Sequence, residues 1–114
     1  MGKRIPRVNA IIKKELGQII LREMEFPSGV LVTLTRVESS VDLEQAKVYV
    51  SSMPEDKIKT VLEILNRQIY HLQQKLNKRL NMRPIPRIFF SEERATSRAS
   101  RIEEILEELK NNGE

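Results

Sequence analysis

The chain has 114 residues and a mass of 13.3 kDa, 39% hydrophobic and 32% charged, which fits one domain over residues 1–110 with a frayed tail at 111–114. It contains no cysteine and one histidine, His71, which excludes disulfides, thiolate metal sites and cysteine nucleophiles and leaves a single imidazole base. Twenty Lys and Arg against 16 Asp and Glu give a formal charge of +4, a balance that favours polyanionic partners.

On this inventory no catalytic residue, metal or cofactor is assigned, and a binding protein is expected rather than an enzyme. No stretch approaches the roughly 18 apolar residues of a membrane span, and no apolar run follows the basic N-terminal residues, so a soluble, cytoplasmic protein is expected. Aromatic residues are 4% of the chain, with no Trp, which argues against a reader of single strands.

Charge is segregated along the chain: residues 1–22 carry a net +5, 23–56 a net −5, 57–101 a net +8 and 102–114 a net −4. Two basic blocks separated by an acidic one are able to fold into one positive face.

In chain order, Ile5, Val8, Ile12, Leu16, Ile19 and Ile20 repeat at three and four residues and predict a first helix. At 100° per residue its outward face gathers Lys3, Arg4, Arg7, Lys14 and Arg22, with Lys13 outside the cluster. Phe26-Pro27-Ser28-Gly29 reads as a turn. Val30–Val37 and Ala46–Ser51 are β-branched or alternating and predict two antiparallel strands, free to extend into the polar connection Glu38–Gln45.

Ser52-Met53-Pro54-Glu55 has the form of a capping box and opens a helix. Its stripe of Ile58, Leu62, Leu65, Ile69, Leu72, Leu76 and Leu80 predicts a helix from Pro54 to about Asn81. Straight, that helix would run about 40 Å, longer than so small a domain can cover, so a kink or an overhang is expected. Arg83-Pro84-Ile85-Pro86 stops the helix, Arg87–Phe90 makes a third strand, and a last acidic helix starts at Ser97 or Ser100 and carries Ile102, Ile105, Leu106 and Leu109. The order helix, strand, strand, long helix, strand, helix predicts an α+β fold, a three-stranded sheet with helices on one face and solvent on the other.

Three segments carry a resemblance. Arg4-x-x-Arg7-Val8, then Val37-Glu38-x-Ser40-x-Asp42-Leu43-x-x-Ala46-Lys47-Val48-Tyr49-Val50-Ser51, then Arg83-x-x-Pro86-x-Ile88-x-Phe90 resemble the ribosome-binding factor A family in the family's order, from about Arg4 to Ile105. The resemblance implies a type II KH-like fold and a monomeric, non-catalytic assembly factor that binds the small (30S) ribosomal subunit and assists maturation of 16S rRNA, including its 5′ end. It also implies a link to growth in the cold. The glycines, Gly2, Gly17, Gly29 and Gly113, supply no GxxG loop, the usual KH grip on nucleic acid. Where the family carries an Ala-x-Gly element that breaks the long helix, this chain has Gln68-Ile69-Tyr70, so a kink there has to come from packing.

Arg67, His71, Lys75 and Lys78 or Arg79 recur at helical spacing and lead toward Arg83 and Arg87, with no Asp or Glu between Arg67 and Arg87. The expected phosphate contacts to rRNA are Arg4, Arg7, Lys14, Arg67, Lys75, Lys78, Arg79, Arg83 and Arg87, with neighbouring ribosomal proteins as further partners. His71 has no catalytic partners. Asp42 is expected to organise the hairpin connection through a local backbone hydrogen bond, and Tyr49 either stacks on RNA or packs under a helix. Phe89 and Phe90 are assigned to core and edge. Two other readings are a small metal-dependent nuclease built around Asp42 and a protein-interaction module; the acidic last helix is a candidate shield over the basic surface.

Overall fold

A computed structural model describes residues 4–93. The first helix, α1 (Arg4–Glu23), buries Val8, Ile12, Leu16, Ile19 and Ile20, the stripe expected from their spacing. A turn follows in which Val30 N donates to Pro27 O at 3.1 Å, and Gly29 supplies the left-handed backbone that the turn requires, with φ 82°.

Strands β1 (Leu31–Ser39) and β2 (Gln45–Met53) pair antiparallel, and both run further into the connection than their β-branched cores alone indicate. A bulge between Leu34 and Arg36 lets both sides of it keep their inward-facing residues on the core. The loop between the strands is closed by Ser40 and Asp42: Ser40 Oγ donates to Asp42 Oδ1 at 2.6 Å, and Asp42 Oδ1 accepts from Glu44 N at 3.0 Å. Asp42 therefore does organise the connection. Leu43, with φ 59°, takes a left-handed conformation unusual for its type and is buried, so burial offsets the backbone cost.

The sequence Ser52-Met53-Pro54-Glu55 does not form a capping box. Strand β2 continues through Met53, Ser52 is buried, and its hydroxyl donates to Pro54 O at 2.9 Å instead of to a helix amide. A short 3-10 turn, Glu55–Lys57, leads into α2 (Ile58–Arg67), and α3 (Ile69–Arg79) follows after a single non-helical residue, Gln68.

The expected long helix is thus broken in two, without glycine or proline. The apolar stripe keeps its phase across the break: Ile58, Val61 and Leu65 are buried from α2, and Leu72 and Leu76 from α3. A straight rod would carry one end of that stripe off the sheet, whereas a bend at Gln68 buries α2 over β2 and β3 and α3 beside α1.

Strand β3 (Arg87–Glu92) lies parallel to β2, with Ala46 opposite Ile88 and Val48 opposite Phe90, giving the sheet order β1-β2-β3. A parallel pairing needs a long crossover, which α2 and α3 provide. Val37, Ala46, Val48, Val50 and Ile88 face the helices, whereas Thr33, Glu38, Lys47 and Phe89 are exposed on the opposite face. The result is a small α+β domain with its helices on one side of a three-stranded sheet. The last expected helix lies outside the described residues, as do Lys3 and the tail.

Candidate nucleic-acid interface

Four hydrogen bonds tie separate parts of the chain together, two at one end of the molecule and two further along α1. Ser39 N donates to Asn9 Oδ1 at 3.0 Å, tying the start of α1 to the end of β1. Arg87 N donates to Glu44 O at 2.9 Å, tying the start of β3 to the hairpin loop. Arg79 Nη1 donates to Glu15 Oε1 at 3.1 Å and to Gln18 Oε1 at 3.0 Å, which holds the end of α3 against the middle of α1.

The consequence for charge follows from topology. Arg4 and Arg7 lie on the first turns of α1, and Arg87 at the start of β3 is tied to the hairpin loop at the same end, whereas Lys78 and Arg79 on the last turn of α3 lie level with the middle of α1 and Arg83 follows in the connection to β3. Lys14 and Lys75 sit midway along their helices. Arg67 closes α2, one residue before the break at Gln68.

Arg83 and Arg87 line a shallow notch of about 580 Å³ together with Gln73, Asn77, Pro84 and Ile85. Its floor is held by Gln73, whose Oε1 accepts from Ile88 N at 2.9 Å and whose Nε2 donates to Pro86 O at 3.2 Å and to Asn77 Oδ1 at 3.0 Å. The side chain of Gln73 thereby pairs the edge of β3 as a neighbouring strand would. Asn77 Nδ2 has no partner among the described residues, so the notch presents two guanidinium groups and one amide donor. An anionic oxygen is the group that accepts from such a donor set.

The expectation that no acid answers the basic stripe holds along α3 but not across the fold. Glu15 and Glu23 of α1 reach it: Arg79 pairs with Glu15, and His71 Nε2 lies 3.0 Å from Glu23 Oε1. The hydrogen bond with His71, then the charge of Lys75, hold the Glu23 carboxyl below the ordinary carboxylate range. Arg79 is therefore an internal brace between α1 and α3. Arg4, Arg7, Lys14, Arg67, Lys78, Arg83 and Arg87 are exposed and have no ion pair among the described residues.

Two other candidates are spent on structure. The Asp42 carboxylate is held by Ser40 and by Glu44 N, which also keeps its pKa low, and the described residues contain no group of three ligands able to hold a metal ion. Tyr49 carries the Arg36 guanidinium over its ring, with Cζ 3.8 Å from the centroid, and burial, helped by Glu38, pushes its phenol up to about 12. Asn77 and Gln73 were not singled out from sequence; their spacing of four on α3 places them on one face, but only the fold shows that this face meets β3.

The model of one family, ribosome-binding factor A, matches residues 4–106. The chain belongs to the ribosome-binding factor A family. A relative of that name from Bdellovibrio bacteriovorus is 35% identical over 95% of this chain and 81% of its own length. The crystal structure of ribosome-binding factor A from Thermus thermophilus superposes with a TM-score of 0.69 at 30% identity, covering 82% of this chain and 99% of that one. A homology model of the Thermus thermophilus protein, fitted into an electron cryo-microscopy map of a 30S complex, superposes with a TM-score of 0.64 at 31% identity over 77% of this chain and 93% of that one.

Proposed function

We propose that this chain is a cytoplasmic, monomeric factor that binds the small ribosomal subunit and assists maturation of 16S rRNA, including its 5′ end, without catalysing a reaction. Family membership supports the partner, as does the 30S complex into which the Thermus thermophilus model was fitted. The order of elements, with β3 parallel to β2 and a direct α2–α3 junction, supports reading the fold as a type II KH-like module that lacks the GxxG grip.

The observation that carries the mechanism is the Arg83 and Arg87 notch, whose cations have no ion pair among the described residues. In this reading Arg83, Arg87, Lys78, Arg4 and Arg7 are the main contacts to rRNA phosphates. Lys14, Lys75 and Arg67 are further contacts along the helices, and Arg79 holds α1 and α3 in place. Phosphate contacts orient the protein and supply affinity without reading sequence, so the factor favours one shape of folded RNA over another.

Chemical footprinting of immature small subunits tests this. The expected result is protection of backbone positions in 16S rRNA that is lost with Arg83→Glu/Arg87→Glu. Cleavage of precursor RNA by the protein and magnesium alone would favour a nuclease instead, and subunit binding with no RNA protection would favour a protein-interaction module.

A further inference from the structure

The face of the sheet turned away from the helices carries one ring that the fold leaves open. Phe89 is 41% exposed, and the parallel register sets it beside Lys47 and sets Arg87, two residues earlier on the same face, beside Gln45. Phe89, Lys47, Gln45 and Tyr49 line a notch of about 650 Å³ together with residues 38–40 at the end of β1. Of the two aromatic side chains there, Tyr49 is covered by Arg36, which leaves Phe89 as the accessible π-face.

The charges around the ring favour an anionic ligand. Lys47 and Arg87 are exposed and have no ion pair among the described residues. The acid of the notch, Glu38, has its carboxylate 2.8 Å from the Arg36 guanidinium. Arg87 lines the notch shared with Arg83 and stands two residues before Phe89 on the same strand face, which sets its cation beside the ring. Residues two apart on one strand face are separated by about 7 Å, comparable to the span from a base to its own phosphate.

We propose that Phe89 is a stacking platform for one unpaired RNA nucleotide, with Arg87 and Lys47 meeting its flanking phosphates. The proposal rests on the RNA-binding reading above and adds to it a preference for an unstacked base, which phosphate contacts alone do not give. The low aromatic content of the chain argues against a reader of long single strands, but one placed ring suffices for one nucleotide.

The chain has no Trp, so Phe89→Trp introduces a single fluorescent reporter at the site. Short single-stranded polyadenylate should quench this Trp over the concentrations at which anisotropy shows the labelled strand binding, and the same strand in a duplex should bind without quenching. Phe89→Ala should weaken binding of the single strand by about tenfold and leave the duplex affinity unchanged. A bound single strand with no quenching, or a Phe89→Ala variant equal to the parent on both ligands, overturns the proposal. Quenching by ribosomal proteins freed of RNA but not by polyadenylate would assign Phe89 to a protein contact and also overturns it. Lys78→Glu/Arg83→Glu separates the two readings: if it loses small-subunit binding while Phe89→Ala keeps polyadenylate binding, the nucleotide proposal falls alone. If it keeps small-subunit binding, the RNA-binding reading falls and takes the nucleotide proposal with it.

Discussion

Arg79 Nη1 lies 3.1 Å from Glu15 Oε1, across an interface between helices whose residues are 64 positions apart in sequence. Both side chains are mostly covered, at 29% and 25% exposure, so the pair braces the helices more than it advertises charge. Arg79→Ala should lower the stability to urea by about 1 kcal/mol, because a partly buried pair and a further bond to Gln18 are lost together. Lys78→Ala, on the exposed neighbour, should change stability by less than about 0.5 kcal/mol while weakening small-subunit binding. A stability loss at Lys78 equal to that at Arg79 would show that the two roles are not divided in this way.

The Glu23 and His71 contact gives a pH dependence of defined sign. The Glu23 carboxyl titrates below its usual value of 4.5, chiefly through the His71 hydrogen bond and the Lys75 charge. The stability it contributes is complete above that ordinary value and is lost as the pH falls through the lower, folded-state value. Thermal melts between about pH 5 and pH 3 should show a steeper fall for the parent than for Glu23→Gln, since only the parent binds a proton at this site on unfolding. Parallel profiles would remove Glu23 from the account.

The break at Gln68 is held by what lies on either side of it. Leu65 and Leu72 are fully buried from the two helices, so Leu72→Ala should cost about 2–5 kcal/mol. Gln68→Ala, a stronger helix former at an exposed position, should change stability by less than about 0.5 kcal/mol and leave the break in place. Backbone chemical shifts of residues 66–70 in Gln68→Ala check this, and a continuous helical signature through position 68 would show that residue type sets the bend.

Periodicity made much of this fold legible. The core stripe of α1, the alternation of β2 around Ala46, Val48 and Val50, and the third strand after Pro86 all follow from which residues repeat on which face. Local motifs were less dependable where tertiary structure competed for the same residues. Ser52 and Glu55 match a capping box, but β2 claims Ser52 first because its burial extends the inward-facing row.

The candidate site was legible as a composition of cations and not as a surface. The run from Arg67 to Arg87 has no acid in sequence, yet Glu15 and Glu23 meet it through the packing of α1 on α3, a contact between residues 48 or more positions apart. Likewise, Phe89 and Phe90 are adjacent and alike in type, and the register with β2 alone sends Phe90 toward the core and Phe89 to the open face.

The most direct test of the central claim is the salt dependence of small-subunit binding for the parent and for Arg83→Ala/Arg87→Ala. Two lost phosphate contacts should reduce the slope of log K against log salt by about two and raise the Kd at physiological salt by about tenfold or more, with stability unchanged. An unchanged slope and Kd in a folded double variant would contradict the assignment of the Arg83 and Arg87 notch to rRNA phosphate.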